Sequence, residues 1–348
     1  MKNEEQKLGR QTSLELLRII SMLMIVAGHS VTHGGFEEFP VSVNGAIAIA
    51  LTQGSRIGVD IFVILTGYFS VEKEVSIKKV KTQYFQIWTY SVLITALMLV
   101  MGEIQINVKL AVGALMPVST SQYWFATCYI LLLFLSPCLQ ICIERINKQQ
   151  FQRVLIVFGI LWSMIPTFLI GAPGYNNFTW FIYVYMLAAY FRKYGSDLTR
   201  KIRIWHGALL LLMICAGAIL TYDMGYTIPF LKSNAIYLFA EMNKLPAIIC
   251  ALLLFFGFRN WKIKTNEKIN KIASCTFGVY LLHDNPNIRE FIWCGLLKNA
   301  SFITSNGFVL RILFSVITVF VVGIAIEWVR QYMVKEIKYV CVKSKKQD

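Results

Sequence analysis

The chain has 348 residues, 56% hydrophobic and 15% charged, with a mean hydropathy of +0.57 and a formal net charge of +15. Soluble domains carry about 25% charged residues, so the composition excludes an ordinary soluble enzyme and describes an all-α polytopic membrane protein. Eight cysteines (Cys128, Cys138, Cys142, Cys215, Cys250, Cys275, Cys294 and Cys341) are scattered without paired spacing. They read as small buried apolar residues rather than a disulfide framework or metal site.

Apolar windows of about twenty residues predict ten helices, over 14–32, 44–70, 82–101, 122–141, 152–171, 178–192, 205–222, 234–258, 272–294 and 307–329. The first lacks a small-residue cleavage site and reads as an uncleaved helix. Of the 34 lysines and arginines, 26 fall in segments on the N-terminal side of the bundle. Only Lys109, Lys232 and Lys298 fall in loops on the other side, and five lie in or at the edges of helices. This bias follows the positive-inside rule. It puts both termini in the cytoplasm and assigns the net charge to topology, with the bilayer as partner and no nucleic acid. The loops are short, so any chemistry falls to the bundle, a membrane domain over 13–330 between a tail at 1–12 and a basic tail at 331–348.

The first helix, SLELLRIISMLMIVAGHSVTHGG, carries Glu15, Arg18 and His29, with His33 following. Ionisable residues at membrane depth line protein interiors or water-filled cavities. Arg18 and His29 are eleven residues apart, which puts them on one helix face and about 16 Å apart along the axis. The charge bias points Arg18 to the cytoplasm and His29 outward. His29 and His33 have i, i+4 spacing, as some metal ligands do; no cysteine cluster or acidic third ligand is obvious, although Asp60, Asp284 or His283 could approach, and no metal site is expected.

In the second helix, GSRIGVDIFVILTGYF, Arg56 and Asp60 can pair at i, i+4, and Gly54, Gly58 and Gly67 permit close helix approach. Lys78 and Lys81 begin the next helix. They fit ordinary positive-inside charge or a clamp for an anionic ligand. Tyr123 and Trp124 fit the outer aromatic belt, and Pro137 is expected to kink or end the fourth helix. Glu241 and Lys244 read as a self-neutralising pair or as substrate ligands. In the ninth helix, FGVYLLHDNPNIREFIW, His283 and Asp284 precede Pro286. A helix break there is tolerated only inside protein or beside a cavity.

These blocks resemble the acyltransferase-3 family of membrane acyltransferases. The likeness rests on Arg18-x10-His29, on GVDIFVILTGYF with Thr66 where the family has serine, on YWFATCYILLLFLSPCL and on GVYLLHDNPNIR. The set most resembles polysaccharide O-acetyltransferases of capsules and exopolysaccharides and covers about residues 13–330. Lys78-x-x-Lys81 stands where the family often has two arginines, keeping charge but losing the planar fork.

The resemblance implies a multi-pass cell-membrane enzyme. It would move an acyl group, expected to be acetyl from acetyl-CoA, onto a hydroxyl of a polysaccharide or lipid-linked glycan, with no tightly bound cofactor. His29 would be the general base or, alternatively, a transient acyl carrier. Arg18 would meet the donor, and Arg56, Asp60, Lys78, Lys81, Trp124, His283 and Asp284 would bind or support substrate, with His283 and Asp284 placed to orient His29 or to bind sugar hydroxyls. The competing reading is a non-enzymatic flippase or exporter of lipid-linked glycan, whose midplane charges line a path.

Overall fold

The structure is a computed structural model and describes residues 11–71, 76–169, 174–195 and 197–344. Lys2, Lys7, Arg10, Lys73, Lys345 and Lys346, part of the loop at 171–178, and the side chains of Lys338, Cys341 and Lys343 lie outside what it describes. The described chain is helical, with no strand.

The helices follow the predicted windows with instructive departures. They are α1 (Thr12–Thr32), α2 (Val43–Ser70), α3 (Ile77–Val100), a short α4 (Val108–Leu115) and α5 (Trp124–Arg145). Next, α6 (Lys148–Gly159) passes through a π-helical turn (Ile160–Met164) into α7 (Ile165–Phe168). Then come α8 (Asn177–Tyr194), a single turn α9 (Asp197–Arg200) and α10 (Ile204–Met224). Among the described residues, seven helical stretches are singly long and apolar enough to cross a membrane, and eight are if Asn234–Ala240 of α11 (Pro229–Ala240) and α12 (Leu245–Asn260), bent by 49°, form one span. The eighteen-residue α8 falls short in apolarity. It is an interior helix, burying Trp180, Phe181, Val184, Tyr185, Ala188 and Ala189 against α2 and α5.

The ninth window is broken. It consists of α13 (Glu267–Ala273), α14 (Thr276–His283) and, beyond a loop, a π-helical segment (Phe291–Leu297). The last helix, α15 (Phe308–Ser344), has 37 residues. At 1.5 Å per residue it is about 55 Å long and outreaches a hydrocarbon core of about 30 Å. Its basic end therefore projects on the side the charge bias calls cytoplasmic.

The bundle is built on α1 and α2, which form the most extensive helix pair; α1 also touches α12 to α15, and α2 touches α8 and α10 to α12. Small residues allow this. A Cβ at Gly58 would come within 2.7 Å of the Ser21 carbonyl on α1, and one at Gly67 within 2.8 Å of the Tyr185 carbonyl on α8. Without a hydrophobic drive between helices in lipid, such close backbone packing is what holds them together. The start of α1 is tied down by Thr12, whose hydroxyl donates to Asn270 at 3.2 Å and accepts from the Asn266 amide at 3.0 Å.

Three expectations are corrected. Of the two outcomes expected at Pro137, a kink or an end, the end is ruled out, since α5 continues to Arg145. A proline at 137 cannot donate to the Leu133 carbonyl, and the Ser136 hydroxyl does so instead at 2.8 Å, the kind of local repair that lets proline persist in membrane helices. The cysteines are not uniformly buried: Cys138 and Cys142 are exposed on α5, where an apolar environment accepts a thiol as readily as a protein core does. Glu241 and Lys244 make no ion pair. The helix break between α11 and α12 falls between them, so Lys244 turns to the Pro166 carbonyl and Glu241 turns to Arg56.

Candidate active site

His29 sits one turn before the end of α1 and His283 ends α14. His29 Nδ1 and His283 Nε2 are 3.1 Å apart. Asp284 follows His283 into the break, and its Oδ1 lies 3.7 Å from His29 Nδ1, 3.4 Å from His33 Nε2 and 3.4 Å from Arg289 Nη1. His283 is fully buried, its ring edge-on to Trp293 at 6.1 Å between centroids.

The break that positions Asp284 is held by asparagines. Asn285 Oδ1 accepts from the Asn287 amide at 2.8 Å, its Nδ2 donates to the Tyr123 hydroxyl, and Asn287 Nδ2 donates to Thr95 Oγ1 at 2.8 Å. The Asn285 carbonyl then accepts from the Ile288 and Arg289 amides. Pro286 cannot continue the helix, and these bonds supply the partners that a helical ladder would have given. The sequence expectation of a cavity wall holds for Asp284, which lines the cavity, but not for His283, which is fully buried behind His29 and is not among the lining residues.

A cavity of about 310 Å³ opens over these groups, lined by His29, Thr32, His33, Thr52, Ser55, Arg56, Val59, Trp124, Ile236, Tyr237, Asp284 and Arg289. Through Thr32, Thr52, Ile236 and Tyr237 it adjoins a wider cleft of about 650 Å³ walled by Phe36, Glu37, Glu38, Phe39, Tyr222, Tyr226 and Lys232. Both lie at the end of α1 that the charge bias puts outside. Arg56 Nη1 is 3.7 Å from Glu241 Oε1, and the guanidinium lies 5.7 Å from the centroid of Trp124, within cation–π reach. Trp124 thus faces the cavity rather than serving only as a membrane-interface anchor.

The remaining candidates lie elsewhere. Asp60 does not pair with Arg56 and does not line the cavity. It is fully buried and accepts from Trp180 Nε1 at 2.9 Å. Its position one turn below Arg56 carries it past the cavity floor and into the contact with α8. Arg18 is half-buried near the opposite end of α1, 3.8 Å from Glu15, and its Nε makes no hydrogen bond among the described residues. Lys78 and Lys81 are exposed in the first turns of α3. Sequence reasoning named neither Arg289 nor Tyr237 as a site residue. Asp284 and Arg289 are five residues apart across a broken helix, a spacing that no helical rule pairs.

Two imidazoles and a carboxylate are the donor types that hold zinc, and His29, His33 and Asp284 each bring one ligand atom within 4.8 Å of the others. Arg289 at 3.4 Å from that carboxylate opposes a dication at the same point. As an arrangement for transfer chemistry, the site joins a buried, hydrogen-bonded imidazole to a roomy outer cleft, with a cation at the far end of the same helix.

The architecture and site define a multi-pass membrane protein whose chemistry is carried inside its helical bundle. A model of the acyltransferase-3 family, described as an acyltransferase domain, matches residues 11–328, and the chain belongs to that family. It is therefore a membrane acyltransferase. No curated protein and no solved structure matches it.

Proposed function

We propose that the protein moves an acetyl group from acetyl-CoA onto a hydroxyl of a cell-surface or exported polysaccharide, with His29 as general base. The observation that carries this reading is the placement of His29. Its ring lines a cavity continuous with a wide outer cleft and is held from behind by His283 at 3.1 Å, with the Asp284 carboxylate 3.7 Å away. A sugar hydroxyl is a poor nucleophile at neutral pH and needs a positioned base, a task suited to neutral imidazole. The cleft offers aromatic faces and carboxylates, groups that suit a carbohydrate.

In this reading His29 takes the hydroxyl proton as the oxygen attacks the acyl carbonyl. The new O–C bond forms, the C–S bond breaks, and the thiolate leaves with the proton from His29. Arg18, near the end of α1 that the charge bias puts in the cytoplasm and with an Nε–H that makes no hydrogen bond among the described residues, meets the phosphates of the donor. Lys78 and Lys81 add positive potential there for an anionic donor.

The test is NMR of the cell-surface glycan from cells with the wild-type protein, without it, and with His29→Ala. Loss of ester-linked acetyl in the last two, with glycan export unchanged, is the expected result. Loss of export with acetylation of the remaining glycan intact would replace this reading with a glycan exporter.

A further inference from the structure

We propose that His283 is a positioning residue that fixes the tautomer of His29; the inference deepens the reading of His29 as base and rests on it. A backbone carbonyl can only accept a hydrogen bond. His283 Nδ1 lies 2.6 Å from the Val279 carbonyl oxygen, so that nitrogen carries the proton. In the neutral ring Nε2 is then a bare acceptor. It lies 3.1 Å from His29 Nδ1, so His29 Nδ1 donates to it. His29 is thereby the Nδ1–H tautomer, and its Nε2, the nitrogen left for the cavity, keeps its lone pair.

A second proton on His283 would reverse this direction and disable the base. His283 is fully buried, and the carboxylate beside it, Asp284, is already engaged by His33 and Arg289. Arg56 adds a further positive charge along the cavity wall. The chain of bonds therefore starts at a group that cannot titrate, a helix carbonyl, and ends at the reacting nitrogen.

The chemistry divides two tasks that one carboxylate performs in a serine-hydrolase triad, holding the tautomer and stabilising the imidazolium. Here His283 holds the tautomer. Asp284, with Oδ1 at 3.7 Å from His29 Nδ1, faces the charge that forms when Nε2 takes the hydroxyl proton. The same proton leaves on the thiolate, so His29 ends each cycle as it began and His283 exchanges none.

The test uses the full chain in detergent with ¹⁵N-labelled histidine, the His29 signals being assigned by their loss in His29→Ala. His283→Gln offers an amide oxygen to His29 and an NH₂ to Val279; His283→Phe keeps a ring and offers neither. We expect Nδ1–H at His29 in the wild type and in His283→Gln, and a mixture of tautomers in His283→Phe. Transfer by His283→Gln should stay within about tenfold of wild type, while His283→Phe should lose about 100- to 1000-fold in kcat with donor KM unchanged, as expected for a misoriented base. An Nε2–H His29 in the wild type, an unchanged tautomer in His283→Phe, or a kcat for His283→Gln as low as for His283→Phe would overturn the proposal. If the NMR result holds while His29→Ala still transfers acetyl, the tautomer assignment stands and the base reading falls.

Discussion

The Arg56 guanidinium lies 3.7 Å from the carboxylate of Glu241, a residue 185 positions away, while the aspartate one turn below it on the same helix bonds to Trp180. An i, i+4 pair can meet on an isolated helix, but inside a bundle each member takes the partner its own level offers. At the level of Arg56 that is the cavity and the break after α11. At the level of Asp60 it is the indole of α8.

Asp60 and Trp180 should behave as a structural pair. Asp60→Asn keeps an oxygen for the indole N–H and should leave thermal stability in detergent near wild type. Asp60→Leu strands that N–H in a buried place and should cost about 1–3 kcal/mol. Equal stability of the two variants would show that the bond contributes nothing.

Arg56 and Glu241 are both partly exposed, and a double-mutant cycle on stability should give a coupling of only about 0.2–1 kcal/mol. Transfer should be more sensitive. If Arg56 contacts substrate, removing a charge-assisted hydrogen bond of about 1.5–3 kcal/mol lowers kcat/KM about 10- to 150-fold. Arg56→Ala with unaltered kinetics would confine the residue to packing.

His29→Ala should abolish measurable transfer of labelled acetyl, a loss on the order of 100- to 10,000-fold for a general base. Folding should be unchanged, since the side chain lines a cavity rather than filling a core. Retained transfer would remove His29 from the chemistry.

Arg18→Ala should raise the KM for the acyl-CoA donor by about tenfold, equivalent to about 1.4 kcal/mol, and leave the acceptor KM alone. Steady-state kinetics with each substrate varied in turn checks this. An effect confined to the acceptor would reverse the assignment.

Gly58→Leu should destabilise the protein by at least about 1–3 kcal/mol, the usual cost of overpacking. A Cβ there already meets the Ser21 backbone at 2.7 Å, and α1 must move to admit more. Yield and thermal unfolding in detergent would register it, and a variant as stable as wild type would mean the α1–α2 contact is looser than drawn.

How far the sequence carried differs from residue to residue. His29 and the break at Pro286 were legible because cost announces them: an imidazole and a proline in apolar runs need a protein interior. Gly58 and Gly67 were legible for the same kind of reason. Partners were not. That Arg56 reaches Glu241 depends on a 49° bend between α11 and α12, and that Asp284 holds Arg289 depends on a loop path. Neither leaves a periodic trace. The sixth window reads as a span because hydropathy averages over twenty residues, and so hides an aromatic-rich interior helix.

The asparagine-held break between His283 and the π-helical segment has one more consequence. Most of a membrane bundle keeps its shape through apolar contact and the exclusion of water. The wall carrying Asp284 is instead set by directional bonds from Asn285 and Asn287 to one another, to Tyr123 and to Thr95. Such a wall keeps its contour when wet. A substrate that arrives hydrated from the outer cleft therefore meets a surface already formed, and neither flooding nor drying of the cavity needs to rebuild it.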